Sequence, residues 1–399
     1  MAAVFTPNAF AAAPVRLSRT ALAASAGWAR AIVSTSGCAN AATGAAGDAD
    51  QVRVGELVAG ALGIDVGEVL YLSTGVIGTR LPLDKVAAGL DALVPVLAAT
   101  DDGLDVAAVA LRTTDTRTKA ATVTVALPGP DGTLHEVIVT GIAKGVGMIH
   151  PRMATMLAIV LTDAAATPEL LASILRPAAA RTWDQLSVDG DTSTNDTVFL
   201  LASGASASGA SAASAVLAGT PAAAALAAAV EAVARDLARQ QAADGEGATC
   251  LLTCRVTGAA DDADARAVAR AVVSSSLVKA AAHGKDPNWG RIAGAAGNAR
   301  LADPPVLAAA GLPPDQAFLR GGTPASLDPS RLRITIAGHL VFDGAAGGPQ
   351  PFDRVATREA MHAPEIVLSL DLGLGTGAGE AFGCDLTEAY VIENSEYTT

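Results

Sequence analysis

The chain has 399 residues, with 27 basic and 40 acidic side chains and a formal net charge of −13, a balance that argues against a nucleic-acid groove or an anionic membrane surface as partner. Hydrophobic residues reach 51%, too many for a disordered chain, yet they are mostly Ala and Val. The most apolar run, residues 216–230, is broken by Gly219, Thr220 and Pro221, so no membrane-spanning helix is expected.

Hydrophobic spacing predicts short buried strands at 15–17 and 31–33, a Gly/Asn/Ala turn over 36–44, and a helix over 50–62 with Val54, Leu57, Val58 and Leu62 on one face. A strand at 69–72 is expected to end at Ser73-Thr74-Gly75, followed by a helix over 83–97 and a strand over 106–111. Residues 120–127 and 133–142 read as a β-hairpin around the turn 129–132. A glycine-spaced loop over 144–150 leads to a buried strand at 156–161. Helices are expected at 168–176 and 182–186, a polar turn at 189–195, a buried segment from 197 and a Ser/Gly/Ala-biased loop over 204–215. A long helix over 222–241, a strand over 249–258, a helix over 262–279, a Pro/Gly-rich loop over 304–330 and strands at 332–336 and 366–372 complete the chain. The sum is an α+β fold with helices packed on sheets.

Four cysteines, Cys38, Cys250, Cys254 and Cys384, do not make a secreted disulfide framework at this length. Cys250 and Cys254 form a C-x-x-x-C pair with no second pair or His beside it, so buried thiols are expected there rather than zinc. The N-terminus lacks the basic-then-apolar order of a signal peptide, and a cytoplasmic protein is expected. Lysine is scarce, at positions 85, 119, 144, 279 and 285.

The most informative segment is 144–163, K-G-V-G-M-I-H-P-R-M-A-T-M-L-A-I-V-L-T-D, in which a glycine-rich loop runs into an apolar strand with Thr155 at the junction. It is not a P-loop, since no G-K-[ST] occurs. Pattern alone leaves Thr155 an ordinary strand-start residue and Lys144 either an anion-binding or a plain loop lysine. Thr155 gains meaning if the bond before it breaks: a chain-terminal Thr carries its own base, an α-amine of reference pKa about 7.7–8.0, beside a hydroxyl that is otherwise a poor nucleophile. Attack of its Oγ on the carbonyl of small Ala154 would give an ester that water opens.

This segment resembles the autoprocessing K-G-[small]-G-M-I…A-T-M-L…T-D-A motif of the ornithine acetyltransferase (glutamate N-acetyltransferase) family, with Val146 and Leu161 as its departures. The resemblance implies an N-terminal-nucleophile-like α+β sandwich of the ornithine acetyltransferase/aminopeptidase superfamily, with mixed sheets and packed helices. It implies cleavage between Ala154 and Thr155 into an α chain, 1–154, bearing the oxyanion loop, and a β chain, 155–399, whose C-terminal α/β part begins at about 245. Thr155 would take the acetyl group of N-acetylornithine as an ester and pass it to glutamate, and some members also accept acetyl-CoA. The implied assembly is a heterotetramer of two α and two β chains, with no nucleic acid, membrane, metal or organic cofactor.

Other motifs extend the resemblance along nearly the whole chain. S-T-G-V-I-G at 73–78 with Leu81-Pro82 resembles the family's oxyanion element, which implies that the Thr74 hydroxyl and the Gly75 N–H stabilise the oxyanion; by itself it reads as a strand-to-helix cap. T-T-D-T at 113–116 implies that Thr113 contacts substrate, and Lys144 maps onto a lysine suited to a carboxylate. D-G-D-T-S-T-N-D-T at 189–197, by itself a solvated turn, also matches. D-G-E-G-A-T at 244–249 implies that Glu246 meets the ornithine amine, although a Glu between glycines is ordinarily just a turn. S-L-V-K at 276–279 and D-P-N-W-G-R at 286–291 match further family elements, and Trp289 is expected to order its polar loop by packing. The terminus from 389 on, otherwise a frayed polar tail, implies that Asn394 and Thr399 line the substrate site.

The departures point to a divergent member. The V-F-T-P-N element sits at 4–8, so the family's preceding segment is expected to be missing, which would expose a sheet edge. Thr35, Cys38 and Ala42 replace residues usual in a loop near the oxyanion region, with Cys38 an alternative nucleophile, and residues 302–327 form a longer stretch than usual. Three further readings stay open: an amidohydrolase or aminopeptidase with the same N-terminal Thr, an acyltransferase of specialised metabolism with another donor or acceptor, and a non-processed, non-catalytic homologue.

Overall fold

The fold, taken from a computed structural model, is described over residues 1–129, 132–150, 156–207 and 215–396. In chain order it begins β1 (Ala2–Phe5), α1 (Ala13–Ala24), β2 (Ala31–Cys38), α2 (Gly44–Leu62), β3 (Val69–Val76), α3 (Leu83–Leu93) and α4 (Asp101–Ala110). Next come β4 (Lys119–Pro128), β5 (Leu134–Lys144), β6 (Leu157–Thr162), α5 (Pro168–Arg181), β7 (Leu186–Ser187), β8 (Thr197–Ala202) and α6 (Pro221–Ala243). The remainder is β9 (Leu251–Ala259), α7 (Asp262–Ser274), α8 (Ser276–His283), α9 (Trp289–Gly297), α10 (Pro304–Ala309), α11 (Pro314–Arg320), β10 (Arg333–Ile336), β11 (His339–Asp343), β12 (Gly348–Pro349), α12 (Arg354–Ala360), β13 (Glu365–Asp371), β14 (Gly377–Cys384) and α13 (Glu388–Glu396).

The α+β expectation holds, and the sheets are mixed. A five-stranded sheet runs β1-β8-β6-β5-β4, a seven-stranded sheet runs β12-β11-β10-β13-β9-β14-β7, and β2 pairs with β3. β6–β8, β9–β13, β7–β14 and β2–β3 are parallel, the remaining pairs antiparallel.

The period-2 alternation of strands explains the layering. In the five-stranded sheet Val139, Ala158, Val160, Val198 and Leu200 share a core with Leu226, Val230, Val233 and Leu237 of α6 and with Leu171 and Leu175 of α5. The intervening Ile142, Leu157 and Phe199 point the other way, onto Leu70 and Leu72 of β3 and Ala108 of α4. β3 repeats the device, sending Val69 and Tyr71 toward Val54 and Val58 of α2. In the second sheet Leu252, Cys254, Val256 and Ala381 pack on Ala265, Val268, Ala269 and Val272 of α7. On its other face Leu251 and Phe382 join the core that holds α6. Helix α6 thus lies between the two sheets. Among the described residues no helix is long and apolar enough to cross a membrane.

Several expected elements are corrected. Residues 15–17 lie inside α1, where Pro14 stands at the start and Val15 and Ser18 share the buried face; three residues of V-R-L cannot distinguish period 2 from period 3.6. Residues 106–111 fall mostly in α4, not a strand; Thr100 caps it by accepting from Gly103 N, with Asp101 and Asp102 in the first turn. Residues 182–186 form a 3-10 turn and the start of β7. The strand beginning at Val69 runs through Thr74 and Gly75 to Val76 because β2 pairs with it along that length. The helix expected over 262–279 breaks at Ser275, whose hydroxyl caps α8 by accepting from Val278 N. The stretch 304–330 carries α10 and α11.

Phe199 is fully buried and meets Phe5 edge-on at 6.1 Å. Phe199→Ala should lower unfolding free energy by about 3–5 kcal/mol, read as a fall in the urea midpoint.

Candidate active site

Six residues singled out from sequence, Thr74, Gly75, Thr113, Lys144, Glu246 and Asn394, line one cavity of about 350 Å³. They arrive from five places: the end of β3, the 113–116 loop after α4, the end of β5, the 244–246 turn, and α13. Ala154, Thr155 and Thr399 lie outside the described residues.

Each wall has a local cause. Gly75 sits at φ +127°, and a Cβ there would fall 2.3 Å from the Gly37 carbonyl carbon, so only glycine lets β2 and β3 close up beside Thr74. Gly147 is needed for a different reason: a Cβ would meet Glu246 Oε2 at 2.2 Å. The end of β5 is fixed from the core, where the buried Trp183 Nε1–H donates to Gln241 Oε1 at 3.1 Å and Gln241 Nε2 donates to the Lys144 carbonyl at 2.8 Å.

Lys144 is buried, its Nζ donating to Thr74 Oγ1 at 3.2 Å and standing 4.0 Å from Asp115 Oδ2. Burial lowers its pKa; Asp115 opposes that shift, Lys119 adds to it, and Glu246 and Asp196 oppose it. Burial also pushes the Asp115 carboxyl up, but the Lys144 and Lys119 ammoniums and the Gly145 N–H outweigh it and hold Asp115 below the usual carboxylate range. Glu246 is held from both sides, its Oε1 accepting from Thr114 Oγ1 at 2.9 Å and its Oε2 from Asn394 Nδ2 at 2.9 Å. The result is a buried cation with a hydroxyl beside it and an oriented carboxylate, a set suited to an amino-acid ligand bearing both charges.

The 189–197 segment, which alone reads as a solvated turn, is part of the cavity. Asp189, Asp191, Thr192, Ser193, Thr194 and Asn195 line it, together with Asn8, Ile77, Thr114, Met148 and Tyr390. Asn195 is buried, and its Nδ2 donates to Ala39 O at 2.7 Å and Ser73 O at 2.8 Å, tying this loop to the Thr74 wall. The V-F-T-P-N element pins the same loop: Thr6 Oγ1 donates to Ser193 O at 2.7 Å and Asn8 Nδ2 to Thr192 O at 2.8 Å. Asp196 is fully buried and accepts from Met156 N at 3.1 Å, and burial raises its pKa well above the usual value. The sequence signal for these residues was their run of short hydroxyl, amide and acid side chains directly before an apolar strand.

Other candidates lie elsewhere. Cys38 does not line the cavity; its thiol donates to Thr79 O at 3.2 Å. Thr35 Oγ1 bonds Ser73 Oγ at 2.7 Å, supporting β3 from behind. Cys250 and Cys254 are buried free thiols; burial pushes the first up to about 11 and the second further. No group of three or more His, Cys, Asp or Glu suited to a metal occurs among the described residues. Trp289 stacks on Phe342 at 5.1 Å, and Asn288 caps α9 beside it, so the 286–291 motif orders structure away from the cavity. Lys279 is likewise structural, donating to Cys384 O at 2.8 Å and Ser187 O at 3.2 Å.

Burial raises the Asp189 carboxyl to about 6, although the N–H groups of Asp191, Ile149 and Met148 favour its ionised form. A folded-state value above the unfolded 3.8 means stability fully present below about pH 4 and lost as pH rises through about 6. Asp189→Asn should remove roughly 2–3 kcal/mol of that pH dependence, read as the difference between variant and parent urea midpoints at the two ends of the window.

The ArgJ family profile matches residues 1–399. The arginine biosynthesis bifunctional protein ArgJ of Thermus thermophilus is 43% identical over 394 residues, 99% of this chain and 89% of that protein. Its counterpart in Thermosynechococcus vestitus is 42% identical over 401 residues, 100% of this chain and 89% of that protein. A crystal structure of arginine biosynthesis bifunctional protein argJ from Bacillus halodurans aligns at 33% identity over 59% of this chain and 96% of that chain, with a TM-score of 0.49. With its full length matched by the profile and by relatives of this similarity, the chain belongs to the ArgJ family.

Proposed function

We propose that this chain moves an acetyl group from N-acetylornithine to glutamate by a ping-pong route through an acetyl ester on Thr155, after cleaving itself between Ala154 and Thr155. The acyltransferase class, of the ornithine acetyltransferase and glutamate N-acetyltransferase type, follows from the family. What carries the residue-level reading is the convergence of Thr74, Gly75, Thr113, Lys144, Glu246 and Asn394 on one cavity from distant parts of the chain.

In the cleavage step Thr155 Oγ attacks the Ala154 carbonyl, the C–N bond breaks, and water opens the resulting ester, leaving the α-amine of Thr155 free. In turnover that amine takes the Oγ proton as Oγ attacks the acetyl carbonyl. The Thr74 hydroxyl and the Gly75 N–H stabilise the oxyanion. The protonated amine then gives its proton to the departing α-nitrogen of ornithine. Glutamate enters, its α-amine attacks the acetyl ester, and the Thr155 hydroxyl is restored. Lys144 holds a substrate carboxylate, Thr113 and Asn394 contact the substrate, Thr399 closes the same set, and Glu246 meets the ornithine δ-ammonium.

Cleavage leaves 1–154 and 155–399 joined without a peptide bond, and the sheet supports that. β5 and β6 fall in different pieces yet pair from Val139↔Thr162 to Lys144↔Leu157, and β1 pairs with β8 across the same division. Two such α/β pairs form the heterotetramer of this reading, and acetyl-CoA is a second acetyl donor to test on it.

Denaturing electrophoresis of active protein should give pieces of about 15 and about 24 kDa, the 39.5 kDa mass divided by length at the bond that frees the nucleophile. The larger piece should begin Thr-Met-Leu-Ala. Thr155→Ala should leave one full-length band and no turnover, and retained transfer in that variant would overturn the reading. Ornithine release that is equally fast with and without glutamate would favour a hydrolase instead.

Thr74→Val keeps the side-chain shape but removes the hydroxyl. It should lower kcat about 100- to 1,000-fold with little change in KM, measured by steady-state transfer on correctly cleaved enzyme.

A further inference from the structure

Behind the cavity lies a charge that none of the proposed steps uses. Lys119, the first residue of β4, is completely buried and does not line the cavity. Its ammonium donates to Asp115 Oδ1 at 2.6 Å, to Asp244 Oδ2 at 2.6 Å and to the Arg117 carbonyl at 3.2 Å. Those two carboxylates are in turn bound to the segments that build the pocket. Asp115 accepts from Thr113 N at 3.2 Å and from Gly145 N at 2.8 Å, the residue after Lys144. Asp244 accepts from Thr116 N at 3.1 Å and from the Thr116 hydroxyl. It stands two residues before Glu246, whose own N–H donates to Val146 O at 2.9 Å.

We propose that Lys119 is a positioning residue for acetyl transfer: its buried ammonium locks the 113–116 loop, the turn after Lys144 and the 244–246 turn into one unit and sets the charge balance in which Lys144 meets substrate. This inference rests on the acetyl-transfer reading of the site.

Two physical consequences separate this role from plain packing. First, Lys119 belongs to the segment before Ala154 and Asp244 to the segment after it. Loss of the ammonium leaves two buried carboxylates without their shared cation, and it loosens the turn that aims Glu246. Second, among the described residues the charged groups that act most on Lys144 are Asp115, Lys119, Glu246 and Asp196, with Asp189 and Asp191 on the same cavity, and Lys119 is the one cation in this set. Removing it removes a like charge, so Lys144 stays protonated to higher pH.

The experiment is steady-state acetyl transfer from N-acetylornithine to glutamate across neutral to alkaline pH, with ornithine affinity measured by calorimetry on the same preparations. The parent enzyme is compared with Lys119→Met, Lys119→Arg and the double variant Lys119→Met/Asp244→Asn. Lys119→Met should raise the KM for N-acetylornithine about tenfold with a smaller change in kcat, weaken ornithine binding in step, and move the alkaline limb of the rate profile up by roughly one pH unit. Lys119→Arg should restore most of the KM. The double variant removes one charge of each sign, so it should keep the raised KM while its alkaline limb returns toward the parent.

A folded Lys119→Met enzyme whose KM, ornithine affinity and alkaline limb all stay within about twofold of the parent would overturn the proposal. If that variant does not fold, an unchanged KM in the double variant does the same. A parent enzyme that binds ornithine but transfers no acetyl group would overturn the catalytic reading instead, and ornithine affinity in the variants then decides the positioning role. A parent that neither transfers nor binds overturns both.

Discussion

The structure of the site depends on one buried ion cluster. Lys119 stands between Asp115 and Asp244 at 2.6 Å from each, with Lys144 4.0 Å from the first of them. Taking charges out of water costs several kcal/mol each, and Coulomb attraction offsets that only when the remaining lone pairs are also satisfied. Here they are, because backbone N–H groups of Thr113, Gly145 and Thr116 donate to the two carboxylates. The same bonds place Thr113, Lys144 and Glu246 around one cavity. Electrostatic satisfaction and site assembly are therefore a single set of contacts.

That cluster sits where layers meet. β3 is sandwiched because its side chains alternate between α2 and the five-stranded sheet, so its end, Thr74 and Gly75, is delivered to the end of β5. Helix α6 lies between the two large sheets and ends at Ala243, so Asp244 and Glu246 emerge beside the same strand end. From the rear, Trp183 and Gln241 hold the Lys144 backbone. The polar groups that face the cavity thus hang from fully packed apolar layers, which limits how far they can drift.

Two of the three acids in the 189–197 segment add a second kind of constraint. Asp189 and Asp196 each accept main-chain N–H groups next to the cavity, from Ile149 and from Met156. Asp189 thereby holds the end of the 144–150 loop, and Asp196 holds the start of the segment leading into β6. Burial favours the neutral form of both, while the main-chain N–H groups they accept from favour the ionised form.

Local pattern determined much of this protein. The β4–β5 hairpin, α2, the long α6, β9 and β13 are legible because their apolar periods run over enough residues to separate 2 from 3.6. The resemblance gave the family and six cavity residues, since its motifs are short strings whose order along the chain survives without coordinates. Tertiary structure decided what depends on neighbours. Residues 106–111 look like an apolar strand until Thr100 and the two acids after it start a helix. The glycine-rich β14 is a strand because β9 and β7 pair with it. The 189–197 run reads as solvated until Thr6, Asn8 and Asn195 fold it against the cavity. Lys119 stood out only as one of five scarce lysines, and nothing local assigned it a role. A lysine becomes a structural cation only when carboxylates 4 and 125 residues away along the chain meet it at hydrogen-bond distance, and no periodicity encodes a meeting of that span.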